Sequence, residues 1–163
     1  MERLSPSEVT VRAYRREDWD AIARIHDAAR LDELRASVGV DAFLTLAETY
    51  EGEGLFDGAL WVAEVRNGSE PVVAGFAAYA DAELTWLYVD PARYRQGIGR
   101  ILLSHALEAA DSAGIECTVL AGNDSARALY ESAGFVVVET RTGKLAGNER
   151  FRATGHIMEW HRP

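Results

Sequence analysis

Apolar and polar residues recur along the 163-residue chain at two spacings, one typical of strands and the other of helices. Strict alternation over 9–14 predicts an opening strand, and two apolar runs on either side of Asn67-Gly68 predict a β-hairpin. The full pattern predicts strands at 9–14, 60–65, 72–79, 83–89, 116–121, 135–140 and 151–160, and helices at 16–30, 40–51, 98–113 and 124–133. The segment 142–150 reads as a mobile loop. This order, β-αα-β-β-β-α-β-α-β-β, indicates an α+β fold with mixed strand pairing.

The stretch ELTWLYVDPARYRQGIGRILL, from Glu83 to Leu103, organises the rest of the chain. It begins as a near-continuous apolar strand, which Pro91 ends because proline cannot donate to a sheet ladder. A basic loop follows, and then a helix whose predicted inner face carries Ile98, Leu102, Ala106, Ala109 and Ala113, with Gly114 as its C-cap.

The loop has the properties of an anion site. The first N–H groups of a helix lack internal partners, and the helix dipole favours negative charge there. Gly97 and Gly99 would let a phosphate approach the backbone without an intervening Cβ. Arg93, Arg95 and Arg100 add positive charge to an otherwise acidic chain. The stretch therefore predicts a pyrophosphate-binding loop.

Two familiar phosphate loops do not match this stretch. A P-loop requires a lysine, and the only lysine of the chain is Lys144. A dinucleotide fingerprint requires a third glycine, where Leu102 stands. A nucleotide-binding protein of Rossmann type is therefore disfavoured.

The sequence V-D-P-x-x-x-R-Q-G-I-G-x-x-L-L, beginning at Val89, resembles the acyl-CoA-binding motif of the GNAT superfamily of N-acyltransferases. Gly97 and Gly99 match the glycines of the family pattern Q/R-x-x-G-x-G/A, whereas Tyr94 stands where Gln or Arg is usual. A second stretch, N-x-x-A-x-x-x-Y-x-x-x-G-F from Asn123, resembles another motif of the family. The two motifs occur in the family's order, on the predicted elements.

The resemblance implies a single GNAT domain over 1–163, with a central, mixed, mostly antiparallel twisted sheet of about seven strands flanked by four helices. It implies an N-acetyltransferase that moves acetyl from acetyl-CoA, its co-substrate, to a primary amine of a small molecule or peptide by direct attack in a ternary complex. A backbone N–H near Leu87 to Val89 would stabilise the oxyanion. The implied cofactor-binding residues are Leu87, Tyr88, Val89, Arg95, Gln96, Gly97, Ile98, Gly99, Arg100 and Asn123.

Two side chains are candidates for proton transfer. Glu83 begins the organising strand, where family members often carry a glutamate, and would act as general base, directly or through a water. Strict alternation would point it to the same side as Thr85, Leu87 and Val89. An exposed strand-end carboxylate is the equal alternative, and Asp81 is the second candidate base. Tyr130 would protonate the departing thiolate; otherwise it is a core tyrosine.

Composition and charge bear on partners. A net charge of −9 and a pI near 4.9 argue against nucleic acid as the main partner. They suit a cationic acceptor, although most carboxylates are expected on solvated helix faces. Arg141, Arg150 and Arg152 of the last hairpin would equally suit an acidic acceptor. The histidines show no metal-ligand spacing, so no metal is expected, and Cys117 reads as an inert core residue.

The remaining expectations concern location and assembly. A single cysteine, no signal-peptide pattern and no membrane-spanning apolar run predict a cytoplasmic protein with no membrane association. The resemblance also suggests a homodimer. A catalytically silent acyl-CoA-binding or sensor module stays the alternative to an enzyme.

Overall fold

The computed structural model describes residues 8–66, 68 and 70–163. Its strands are β1 (Val9–Ala13), β2 (Ala59–Arg66), β3 (Pro71–Ala80), β4 (Glu83–Val89), β5 (Gly114–Leu120), β6 (Val136–Leu145) and β7 (Asn148–His161). Its α-helices are α1 (Trp19–Arg35), α2 (Leu46–Thr49), α3 (Ile98–Ala109) and α4 (Asp124–Ser132). Asn67, half of the predicted hairpin turn, lies outside the described residues. None of the described helices has the length and apolar character needed to cross a membrane.

The seven strands form one sheet in the order β1-β2-β3-β4-β5-β7-β6. Every neighbouring pair is antiparallel except β4 and β5. One face packs against α3 and α4 around Leu102, Leu103 and Phe135, and the other packs against α1 and α2 around Ile22, Phe76 and other apolar residues. The predicted α+β class, with a mixed and mostly antiparallel seven-stranded sheet and four helices, is confirmed.

The parallel pair in the centre of the sheet is joined only at its start. Glu83 and Glu116 are the single registered pair, and the Glu116 N–H donates to the carbonyl of Ala82 at 2.9 Å. Beyond this point the two strands diverge. A cleft therefore opens in the middle of the sheet, toward the ends where β4 leads to α3 and β5 leads to α4.

A β-bulge changes which residues of β4 share a face. Ala78 pairs with Trp86, but the next residue, Tyr79, pairs with Leu84, so Thr85 is an extra residue without a partner. Glu83 consequently lies on the side of Trp86 and the α1–α2 face. The expectation that Glu83 would face with Thr85, Leu87 and Val89 was wrong, because alternation fails across a bulge.

The predicted helix over 98–113 ends earlier, at Ala109. Ala110 adopts an extended conformation, and Gly114 begins β5 rather than capping the helix. The Arg162 side chain donates to the carbonyls of Leu107, Ala110 and Ser112 at 2.8–3.2 Å. The end of α3 is thus capped from the far end of the chain, which a local pattern cannot reveal.

Two other boundaries differ from the prediction. The first helix extends five residues beyond Arg30, to Arg35, and the predicted helix over 40–51 is a 3₁₀ turn, Val40–Ala42, followed by the short α2. A capping box at Thr45, whose side chain and Glu48 bond each other's backbone N–H, starts α2 anew.

The segment 142–150, predicted as a mobile loop, is part of an ordered hairpin. β6 and β7 pair as far as Leu145 and Asn148 across a tight turn. Leu145 is buried, and the turn is tied to the body by Arg30, which donates to the Ala146 carbonyl, and by Glu53, which accepts the Gly147 N–H at 3.0 Å. Long-range contacts order a segment whose polar composition suggested mobility.

The turn between β3 and β4 predicts a stabilising substitution. Asp81 and Ala82 have φ values of 51° and 61°, the conformation of a type I′ turn, which favours glycine at its second position. We expect Ala82→Gly to raise the free energy of unfolding by about 1 kcal/mol, because a left-handed alanine is strained. Urea denaturation would measure the change. Ala80→Gly, within the β3 strand, should instead destabilise the protein, and a destabilising Ala82→Gly would contradict the argument.

Candidate active site

The basic loop after β4 leaves the start of α3 open to an anion. Gly97 is the N-cap with φ of 86°, so no side chain bonds the first helical N–H groups. Arg95 also has positive φ, at 65°, and successive left-handed and helical residues turn backbone N–H groups to one side. Arg93, Arg95 and Arg100 form no ion pair with any residue in 8–66, 68 or 70–163. The geometry suits a pyrophosphate.

The Cβ position of Gly99 faces the neighbouring elements rather than the loop. A Cβ on Gly99 would lie 3.3 Å from the Leu129 side chain and 3.6 Å from Val89. Gly99 therefore allows α3 to approach α4 and β4 closely, rather than opening space for a phosphate. Tyr94, which departs from the family pattern, hydrogen-bonds to Asp32 of α1, and burial together with this carboxylate raises the pKa of Tyr94 to about 12.

The other implied cofactor-binding residues divide between the core and the surface. Leu87 and Val89 pack against the α3–α4 core, whereas Tyr88 lies on the α1 side. Ile98 is buried, so it would offer a ligand its backbone, and Gln96 is also buried. Arg95 and Arg100 are exposed, while Asn123 caps α4 by accepting the Ala126 N–H at 3.3 Å.

A cavity of about 520 Å³ adjoins the cleft on the α1–α2 face. Strands β4 and β5 form its floor, α1 and the segment around Glu53 form two walls, and the β6–β7 hairpin forms another. Glu83, Trp86 and Tyr88 all line it. The bulge at Thr85 brings these three side chains to the same face.

Glu83 is a half-buried carboxylate on the cavity wall. Burial raises its pKa, and the negative charges of Glu116 and Glu53 raise it further. It forms no ion pair with any described residue. Asp81, the second candidate base, is exposed in the β3–β4 turn and does not line the cavity. The geometry therefore favours Glu83 over Asp81.

Tyr130 lies inward on α4, as its spacing with Ala126 and Ala133 predicts. It is 8% exposed, and its ring packs edge-on against Phe135 with centroids 5.3 Å apart. Burial raises the pKa of Tyr130 well above its usual range, so its hydroxyl keeps its proton. Burial likewise raises the pKa of Cys117 to about 12, which is consistent with an unreactive core thiol.

A partly buried polar network, which no sequence pattern indicated, is centred on Glu33 of α1. Its carboxylate forms an ion pair with Arg30 and accepts the Tyr88 hydroxyl at 2.8 Å. The Asn123 amide donates to it at 3.4 Å, so Asn123 links α4 to α1 as well as capping its own helix. Local patterns could not reveal the network, because Tyr88 and Asn123 lie 55 and 90 residues from Glu33 along the chain.

The architecture defines a class before any sequence comparison. The fold is similar to that of yncA from Salmonella typhimurium, solved with its cofactor acetyl-CoA, with a TM-score of 0.69, 23% identity and coverage of 96% of this chain and 95% of that one. It is also similar to that of a spermidine N-acetyltransferase from Vibrio cholerae in complex with CoA and spermine, with a TM-score of 0.67, 20% identity and coverage of 96% of both chains. The class is that of GNAT-type α+β proteins.

Sequence comparison gives the family. The acetyltransferase (GNAT) domain family matches residues 56–137, half of the chain, and the protein therefore belongs to this family. A peptidyl-lysine N-acetyltransferase, YjaB of Salmonella typhimurium, is 34% identical over 97 residues. That alignment spans 60% of this chain and 63% of the relative.

The raised pKa of Glu83 predicts how stability depends on pH. The folded state binds the Glu83 proton more tightly than the unfolded chain does, so the contribution of Glu83 to stability falls as pH rises from the ordinary glutamate pKa through the raised one. We expect Glu83→Gln to raise the melting temperature at neutral pH and to flatten that fall.

Thermal melts between pH 4 and pH 8 would measure the effect, with Asp81→Asn as the matched control. Asp81 is exposed and does not line the cavity, so its variant controls for the removal of a carboxylate near the start of β4. A Glu83→Gln variant that is less stable than the parent at neutral pH would show that the carboxylate has a stabilising partner.

Proposed function

We propose that this protein is an N-acetyltransferase that transfers acetyl from acetyl-CoA to a primary amine of a small molecule or peptide, by direct attack in a ternary complex. The observation that carries the proposal is the position of Glu83, an unpaired carboxylate with a raised pKa on a cavity beside the open edge of β4. Its environment differs from that of an exposed strand-end carboxylate, the alternative for Glu83. It also favours an enzyme over a silent acyl-CoA-binding module.

The chain offers acetyl-CoA three kinds of contact. The first turn of α3 and the unpaired arginines around it would hold the pyrophosphate. The diverging edge of β4 would pair with the amide-containing pantetheine arm, because its backbone groups have no strand partner beyond Glu83. A backbone N–H of β4 near the bulge would then stabilise the oxyanion.

Glu83 and Tyr130 carry the protons in the proposed reaction. A primary amine arrives charged, since its ordinary pKa is near 10.4, and gives one proton to Glu83, which releases it to solvent. The nitrogen forms a bond to the thioester carbon, and the carbon–sulfur bond then breaks. Tyr130 gives its proton to the departing thiolate and recovers one from the new amide nitrogen.

The cavity charges favour a cationic acceptor. Glu33 is already neutralised by Arg30, but Glu53 and Glu83 have no cation within ion-pair distance in the described part of the chain. Burial raises the pKa of both. Arg141 and Lys144 also line the cavity, and Arg141 is paired with Glu139 at 2.9 Å. Lys144 is the one lining cation without an ion pair in the described residues, so the two unpaired carboxylates outnumber it and an acidic acceptor is the weaker option. Cytoplasmic location and a homodimer stay predictions.

The experiment that tests the proposal is a thermal-shift titration with acetyl-CoA, CoA and NAD, followed by an assay of thiol release with an amine panel. A ligand specific for the folded state adds about 2.7 kcal/mol at a hundredfold excess over its dissociation constant, so both CoA species should raise the melting temperature. NAD should not. In the assay, Tyr130→Phe should slow turnover about 100-fold while leaving the acetyl-CoA shift intact, because one proton donor is removed.

Each outcome has a direct meaning. A shift with NAD alone, or none with CoA, would contradict the whole proposal. A CoA shift without thiol release for any amine would favour the silent binding module. Turnover unchanged in Tyr130→Phe would remove Tyr130 from the mechanism and leave it as a core residue.

The position of Glu53 predicts a preference between two acceptors with the same five-carbon chain. If the Glu53 carboxylate binds the second ammonium group of a diamine, Glu53→Gln should raise the KM for 1,5-diaminopentane about tenfold. The KM for pentylamine, which has no second ammonium group, should not change. The expected loss exceeds that of a surface ion pair because Glu53 is half-buried. Glutamine can still accept the Gly147 N–H. Glu51→Gln, at an exposed neighbour that does not line the cavity, is the matched control. Equal KM changes for both amines would show that Glu53 acts on the shape of the site and not on charge.

A further inference from the structure

His26 is a buried titratable side chain that the proposed mechanism leaves without a role. It lies on α1, is 3% exposed and lines the cavity. Its ring centroid is 5.6 Å from that of Trp86 and 5.1 Å from that of Tyr88, two residues of the cavity face of β4. The imidazole is therefore held between α1 and the strand that carries Glu83.

A hydrogen-bond chain fixes the orientation of the ring. The Asp27 Oδ1 atom lies 2.9 Å from His26 Nδ1 and also accepts the backbone N–H of Leu46 at 2.8 Å. The backbone N–H of Leu46, at the start of α2, thus fixes the Asp27 carboxylate, which in turn fixes the His26 ring. Since a carboxylate can only accept, Nδ1 carries the proton and Nε2 presents a lone pair.

This lone pair has no partner within residues 8–66, 68 and 70–163. Burial lowers the pKa of His26, outweighing the opposite effect of Asp27, so the ring is neutral at neutral pH. The other charged or titratable groups that face it are Arg30 and Glu33 of α1 and Tyr88 of β4, and these three bond mainly with one another. Nε2 is not sealed from solvent, so the cavity reaches this acceptor, and an open acceptor on the cavity wall points to a donor that arrives with the substrate.

We propose that His26 is a substrate-positioning residue whose Nε2 accepts an N–H hydrogen bond from the acceptor amine. This inference rests on the proposed acetyltransferase function. A neutral primary amine has two N–H groups and one lone pair. One N–H held by His26 leaves the nitrogen lone pair free to turn toward the thioester carbon, after Glu83 has taken the ammonium proton. The site would then select amines that have an unhindered N–H able to reach His26 Nε2.

Two variants of His26 separate positioning from packing. Asparagine can keep the hydrogen bond to Asp27 but has no atom at the place of Nε2, whereas glutamine can place its amide oxygen there. We expect His26→Asn to lower kcat/KM about 10- to 100-fold and His26→Gln to restore most of it. The substrate would be whichever of 1,5-diaminopentane, pentylamine and a lysine-containing peptide the parent protein acetylates fastest.

Acetyl-CoA thermal shifts serve as the binding control, and both variants should bind acetyl-CoA as the parent protein does. If His26→Asn and His26→Gln lose activity equally, in proportion to lost stability, the positioning role is overturned. If both keep full activity while the parent protein turns over amines, only this inference falls. A parent protein that turns over no amine would overturn the proposed function as well.

Nitrogen NMR of the histidine ring gives a test that does not depend on turnover. At neutral pH the Nε2 resonance of His26 should be that of an unprotonated nitrogen, and His26→Asn should identify it by its disappearance. In the presence of CoA, the fastest-acetylated amine should shift this resonance in the parent protein. A proton on Nε2, or a resonance insensitive to the amine, would overturn the proposal.

Discussion

The single pairing between β4 and β5 is the constraint on which the rest of the structure depends. One registered pair, Glu83 with Glu116, joins the antiparallel block β1–β4 to the block β5–β7–β6. Because the strands separate beyond it, β4 has an unpaired backbone edge inside the protein, next to α3 and the cavity. Unpaired strand edges are normally avoided or covered. Here the edge lies between a helix start open to anions and a polar cavity, and a bound chain with amide groups would complete the sheet.

Three carboxylates lie close together where β4 meets β5. Glu83, Glu116 and Glu159 occupy registered positions on three neighbouring strands, an arrangement that is unfavourable for like charges. Elsewhere in the protein a buried carboxylate, that of Asp18, does have a cationic partner. Arg12 holds both oxygens of Asp18, at 2.8 and 2.9 Å, and pairs with Glu64 as well. The contrast is consistent with the proposed role of Glu83 toward a ligand.

Local pattern was sufficient for the order of the strands and helices and for the placement of three candidate site residues. The positions of Gly97, Asn123 and Tyr130 follow from turn, cap and helix periodicity, and the structure places each as those rules require. The bulge at Thr85 could not be seen, because it depends on how β4 registers with β3. The end of α3 and the ordered hairpin also escaped prediction. Each is fixed by a partner at least 50 residues away along the chain, such as Arg162 on Ala110 or Arg30 on Ala146.

This division between local and long-range determinants coincides with a division of the site. The segment that matches the family, residues 56–137, contains the glycine loop, Glu83 and Tyr130. The groups that shape the far side of the cavity, His26, Glu33 and Glu53, come before it, and the β6–β7 hairpin lies almost wholly after it. If the cofactor contacts lie on this one continuous segment, as proposed, the walls of the cavity on either side of it can change in sequence without disturbing those contacts. The proposed selection of the acceptor would therefore rest mainly on residues outside the segment that the family matches, and their contacts are read from the structure itself.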